Sequence, residues 1–569
     1  MIESLASLLA LLVSVGAWSA EPVALLGRPG LPGRFQLLAD GAIRSGEAGP
    51  VLTEWIAPED SLARPEAAPS PSLSWLAPGV RVVKSEQSAG GLRLTTLSGA
   101  DGEGPEGRQS LWLFRALRLA AEDGRPRRAR LCIAIGRSGL ALRDESALLD
   151  GEEVQLVVSQ EPEAVQDAGA QTVLAFDLAV PAKGAVDLLV AAPAQPVPYR
   201  LRDVPDVRNL NPDFRLGEIV SAWEGRALPE RLSVGSTRVT EAFHAAVGAL
   251  LLDPPRLDDP ALATSLSALA RAGVAPQLPR LVETLVAGQA ADGRFAGVTD
   301  LAVQADLTTA LADCALFSEA PERWAPTLWR PVARSAALLE ATQPRTPRFA
   351  LALRRAGELA ALAGDSARAE AFLALPPGEP AGPPASLFEA RAAALWSAPE
   401  SPDPWLSAYV AMHSSDAEQR QRGWEAAEAL LGAQPLPGVT FADGHEDLRV
   451  AAAIVFLVGD AVARAEPANL QLLPAVPASW ADGGALVQLD GFPSGFGPVS
   501  LTATSAEDGA VTLALPETPR LAPQVLLSPP LGASCSGLRA NGKLLPRETF
   551  EGGPPWPLGP KTGSVVLLP

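Results

Sequence analysis

Carboxylates gather at two points where the chain runs into segments of helical periodicity: Asp292 and Asp300 in one loop, Asp443, Glu446 and Asp447 in another. Two carboxyl groups at a fixed separation, one protonated and one ionised, are the minimal equipment for general acid–base or nucleophilic work. The same residue types at the same positions also cap helices. Asp300 stands where an N-cap would, and Asp443 with Glu446 has the N-cap and N3 spacing of a capping box, so the structural role ranks ahead of the chemical one. His445, next to Glu446, could orient a hydroxyl or a carboxylate, although a lone histidine at a helix start is more often a surface or capping residue.

Aromatic groups offer a second kind of chemistry. Trp324, Trp329, Trp396, Trp405 and Trp424 fall in the helical region. An indole presents a flat apolar face and one N–H donor, which suits stacking against a ring. Most read as anchors between helices; Trp405, following Pro404 at a helix start, is the one placed as a platform. His244 and His413 lie among apolar neighbours and read as structural. With only 3 histidines, and with Cys132, Cys314 and Cys535 far apart, neither a metal centre nor a disulfide framework is indicated. No phosphate-binding glycine loop, nucleophile elbow or HExxH segment occurs, and no cofactor is expected.

These side chains need a large scaffold. At 569 residues, 47% hydrophobic and 20% charged, the chain is long enough for several cores and unlike a disordered polymer. A formal charge of −19 without a Lys/Arg cluster argues against nucleic-acid partners. The apolar run Leu5–Ala17, followed by small residues, reads as a leader over residues 1–20 that would export the protein to the periplasm or beyond the cell. It is short for a membrane span, and no later run resembles one.

Residues 21–215 carry short apolar runs such as RARLCIAIG, VQLVVS and TVLAFDLAV separated by turn residues, the pattern of a β-sandwich region. From Leu232 to Ala465 the period changes. Leu278, Leu281, Val282, Leu285 and Val286 share one helical face, and further helices start near Asp300, Arg348, Ser386 and Ser415. Successive helices with short breaks imply antiparallel hairpins in an almost strand-free array. The run Pro376–Pro384 interrupts them as a surface linker. Strands return over 470–569, with Asn541-Gly542 as a hairpin turn, and indicate a small C-terminal β-sandwich.

The stretch GHEDLRVAAAIVFLVGDAVARAEPANLQLLPAVPASW, ending at Trp480, resembles the last helix and "LLPxxPxxW" exit of the six-hairpin glycosidases. Gly491–Ser500 (GFPSGFGPVS) resembles the hairpin opening their C-terminal sandwich, and Gln289–Phe295 (QAADGRF) their "QxxDGxF" turn. The resemblance implies an α/α toroid of helical hairpins between β-sandwich domains. It also implies a saccharide ligand at the toroid mouth, where Asp292, Asp300, Asp443 and Glu446 would be the acid–base candidates and Trp405 and His445 would bind substrate. Hydrolysis would need two carboxyls about 5–5.5 Å or about 6.5–9.5 Å apart. The short helical span and its scarcity of polar residues leave a second reading open, a non-catalytic descendant that binds glycans or serves as a structural module.

Overall fold

A computed structural model describes most of residues 22–568; outside the described residues lie 1–21, 58–61, 63–69, 253–258, 375–385, 391–402, 518–523, 547–554 and a few shorter stretches. The expected leader, the linker Pro376–Pro384 and Asp443 fall among those. The chain forms two compact units, one of residues up to Gly225 with Val439–Asp447, the other of Arg226–Gly438 with Leu448–Pro569.

Among the described residues, the first unit holds two large antiparallel sheets. One runs from strand Pro22–Leu26 through Val51–Ala57, Arg127–Ile135 and Gln171–Val180 to Ala164–Ala168. The other centres on the long hairpin of Leu92–Glu103 with Ser110–Ala121, flanked by Val83–Ala89 and Ala185–Pro193. Strand Val51–Ala57 is buried along its whole length, which explains its missing polar alternation. One of its faces adds Trp55 and Ala57 to an apolar cluster with Cys132, Ala134, Val173 and Ala175. The opposite face carries Glu54, whose carboxylate takes hydrogen bonds from Arg115 at 2.5 Å and Thr96 at 3.0 Å, both on the other sheet. A charge pair therefore sits between the sheets, with the Glu54 carboxylate held by two donors while Nε and Nη1 of Arg115 make no hydrogen bond among the described residues. Helix α1 (Pro212–Ala227) follows, with the Asn211 side chain accepting from the Asp213 and Phe214 amides.

The second unit carries ten further helices among the described residues: α2 (Thr237–Leu252), α3 (Leu262–Arg271), α4 (Pro279–Ala287), α5 (Leu301–Leu316), α6 (Pro321–Thr342), α7 (Pro347–Leu362), α8 (Ser366–Leu373), α9 (Pro404–Met412), α10 (Ala417–Gly432) and α11 (Leu448–Val462). Local chemistry sets their starts. Asp300, Asp365, Asp403 and Asp416 each accept a backbone N–H of the first turn, and Pro347 and Pro404 occupy early positions where no amide hydrogen is needed. The apolar helix α11 packs against α2, α3 and α9; α3 packs on α5, and α5 on α6 and α7. Pairs α5–α6, α7–α8 and α9–α10 are consecutive packed neighbours, the helical hairpins that the periodicity implied.

The unit also holds a seven-stranded sheet built mainly from residues after Ala485 and a smaller four-stranded sheet. Asn541 and Gly542 both have positive φ (47° and 81°), as a two-residue turn between strands Gly537–Ala540 and Lys543–Pro546 requires. The span 232–465 departs from a strand-free array at three places. Leu232–Val234 pairs with Ala485–Pro493, Phe441–Ala442 pairs with His445–Glu446, and Ala463–Ala465 pairs with Leu470–Leu472. Such partners are distant or depend on a turn, and helical periodicity carries no sign of them. No described helix is long and apolar enough to cross a membrane.

Candidate functional site

Glu446 is not the N3 residue of a capping box. It ends a short strand before α11 begins at Leu448, and its carboxylate turns inward. Arg81 Nη1 and Nη2 donate to its two oxygens at 2.7 and 2.9 Å, and the Leu25 amide donates at 2.8 Å. Both side chains are buried, and the guanidinium also lies over the Trp75 ring at 5.0 Å. A carboxylate occupied by three donors is a structural anion. The signal was invisible in sequence because Arg81 lies 365 residues away.

Asp300 caps α5, accepting from the Ala302 amide at 2.8 Å. Asp292 accepts from the Arg294 amide at 3.1 Å and faces solvent. Hydrogen bonds from Gln289 and from Gln304 hold the shape of the QAADGRF turn around it. Gln289 and Gln304 both donate to the Gly293 carbonyl, Gln304 accepts from the Phe295 amide, and Phe295 is buried. Trp405 is 5% exposed in the first turn of α9, so its indole is a core anchor and offers no open stacking face. His445 pairs with Ala442 in the hairpin beside Asp443, which lies outside the described residues.

A different set of polar residues converges inside the helical array. Asp460 is the one acid within the buried stretch of α11; it pairs with Arg271 at the end of α3 and accepts from Tyr409 Oη of α9 at 2.6 Å. Ser386 Oγ is 2.9 Å from the same phenol oxygen. Burial and the neighbouring Asp460 carboxylate push the Tyr409 phenol well above its ordinary value, so it stays protonated as a donor. Deeper in the array, Asp313 of α5 accepts from Ser267 and pairs with Arg355 of α7, which also binds Glu358 at 2.6 Å. These acids are committed to arginines.

Beside this network opens a cavity of about 390 Å³. Met412 and His413 at the end of α9, Ser414, and Arg420 of α10 line one side. Arg464, Glu466 and Gln471, which follow α11, line another, with Pro474, Pro529 and Pro555 adding apolar surface. Arg464 holds Glu389 through two contacts at 2.9 and 3.0 Å and lies 3.8 Å from Glu466. The His413 ring stands edge-on to Tyr409, centroids 4.6 Å apart, and its Nε2 makes no hydrogen bond among the described residues. Burial, then the charges of Arg464, Arg271 and Arg420, hold its pKa well below the usual range, leaving a neutral imidazole. Among the described lining residues, Glu466 is the one carboxylate. The cavity thus mixes donors, acceptors and apolar patches, with Arg420 and Arg464 set against Glu466.

Sequence reasoning placed chemistry elsewhere. Asp460, a lone acid in the apolar run IVFLVGDAV, was the legible signal for a buried polar centre, and the Arg464–Glu466 pair lay in the segment just beyond it. Cys132 and Cys314 are buried, which raises their thiols to about 12 and suits small hydrophobes.

No protein-family model matches the chain, and no curated protein does. Solved structures do. It is similar to a bacterial glucoamylase complexed with acarbose, at 11% identity over 62% of this chain and 66% of that one, with a TM-score of 0.38. It is also similar to a human-microbiome protein named as a kojibiose phosphorylase, at 9% identity over 93% of this chain and 90% of that one, with a TM-score of 0.40. The chain therefore spans just under two thirds of the glucoamylase's length. A likeness of this degree assigns no residue role, so the roles here rest on the chain's own geometry.

Proposed function

We propose that this chain is a non-catalytic saccharide-binding protein whose helical hairpins form a six-hairpin-like toroid, with a neutral sugar docking in the cavity at the end of α9. The observation that supports it is the cavity lining. Sugar hydroxyls both donate and accept, and they meet here a neutral His413, the Gln471 amide, Glu466 and Arg420. The proline edges suit the apolar face of a pyranose ring. Catalysis is disfavoured because Glu446, Asp460 and Asp313 are each held by an arginine, and Asp300 caps a helix. Action outside the cytoplasm belongs to the same proposal and rests on the apolar run Leu5–Ala17.

Titration calorimetry with neutral oligosaccharides, beside an assay for released reducing ends, tests the reading. Wild-type protein is expected to bind at least one sugar without releasing reducing ends. Gln471→Ala and His413→Phe should each weaken binding about tenfold, about 1.4 kcal/mol. Sugar release by the wild type would install the hydrolase reading instead, and failure to bind any neutral saccharide would overturn the proposal.

A further inference from the structure

The first unit contains a second cavity, of about 260 Å³, independent of the saccharide reading. It opens between the two sheets at one end. Phe35, Ile43, Leu52 and Ile135 come from the sheet that contains Val51–Ala57, and Leu113 and Gln155 from the other. Apart from Gln155 and, at the rim, Arg137, the large lining side chains are apolar, and apolar walls of this kind leave little to hold water. Gln155 is 6% exposed, and its amide nitrogen makes no hydrogen bond among the described residues. The other polar groups at the cavity are already engaged. Ser45 Oγ donates to the Ala194 carbonyl at 2.8 Å, and Arg137, at the exposed rim, is paired with Asp150.

A buried amide without a partner is costly, and native proteins rarely keep one without a reason. A cavity of about 150 Å³ with apolar walls accepts benzene, so this one has room for a ring with a substituent. We propose that the inter-sheet cavity binds a small, uncharged, mainly apolar molecule bearing one carbonyl group, with the ring between Phe35, Leu52 and Leu113 and the carbonyl accepting from Gln155. The rim pair Arg137–Asp150 is electrically balanced and gives no preference for an anion.

Benzamide, toluene and benzoate are suitable probes, measured by calorimetry and by the shift in melting temperature of the full chain. Benzamide should bind at least tenfold tighter than toluene and than benzoate. Gln155→Met, which keeps the volume and removes the amide, should abolish that preference while leaving toluene binding intact and the melting temperature unchanged or higher. Ala192→Leu, which fills the cavity from strand Ala185–Pro193, should remove binding of both. Absence of benzamide binding to the wild type up to its solubility limit, as expected of a space holding water only, would overturn the proposal. So would benzamide binding that neither substitution changes, since the ligand would then sit elsewhere.

Discussion

Glu446 and Arg81 meet across 365 residues of chain with both side chains buried, and the pair is closed by a third donor from Leu25. Removing one member of such a pair leaves the other charge unpaired in a low-dielectric site, which typically costs about 3–5 kcal/mol. Glu446→Gln is therefore expected to lower the stability of the first unit by about that amount, read as a shift in the urea midpoint. Saccharide affinity of the folded variant should stay unchanged. A loss of activity or binding with full stability would return Glu446 to a chemical role. The contrast with Asp300 is instructive at the same scale: both are acids near a helix start, yet one caps it and the other reaches away from it.

Among the elements, the QAADGRF turn is the most tightly specified. Gly293 has φ of 95°, and a Cβ there would lie 2.4 Å from the Arg334 carbonyl oxygen of helix α6. Both the left-handed conformation and the close approach require glycine. Gly293→Ala should destabilise the second unit by at least about 2 kcal/mol, checked by chemical denaturation. The motif that drew attention as a family signature is thus explained by packing: it lets the loop between α4 and α5 lie against α6, while Gln289 also donates to the Pro331 carbonyl at 2.9 Å. Helix α6 contains Pro326 and Pro331, which remove the intrahelical donors to the carbonyls four residues earlier, those of Glu322 and Thr327.

For the whole molecule, charge and buried histidines act together as pH falls. Net charge goes from −19 at pH 7 to zero near the isoelectric point of about 4.8, so repulsion between molecules vanishes there and solubility should pass through a minimum. Over the same range stability is lost. Burial lowers His244 to about 4 in the folded chain, against about 6.5 unfolded, although its Nε2 hydrogen bond to the Leu232 carbonyl at 2.7 Å opposes the shift. A depressed folded pKa means that this contribution is complete above about pH 6.5 and disappears as pH falls toward 4, about 3 kcal/mol in all. His413 acts in the same direction. Urea midpoints measured in dilute protein at pH 7.5, 6 and 5 should fall steadily, and His244→Gln, which can still donate to Leu232, should flatten part of that slope.

Periodicity alone determined a good deal about this chain. The change from period two to period 3.6 and back marks where helices and strands lie, because each element must bury one face regularly. Helix starts at Asp300 and near Arg348 and Ser415, and the turn at Asn541-Gly542, were legible because capping and positive φ are decided within a few residues. Only the tertiary structure decided the rest. Whether Glu446 is a cap, a catalyst or a buried anion depends on Arg81; whether Trp405 is a platform or a core anchor depends on what covers it; and the cavity at the end of α9 is assembled from α9, α10 and chain segments up to Pro555. Local sequence fixes backbone conformation over a turn or two, whereas a side chain's chemical role is set by the dielectric and partners that folding brings from far along the chain.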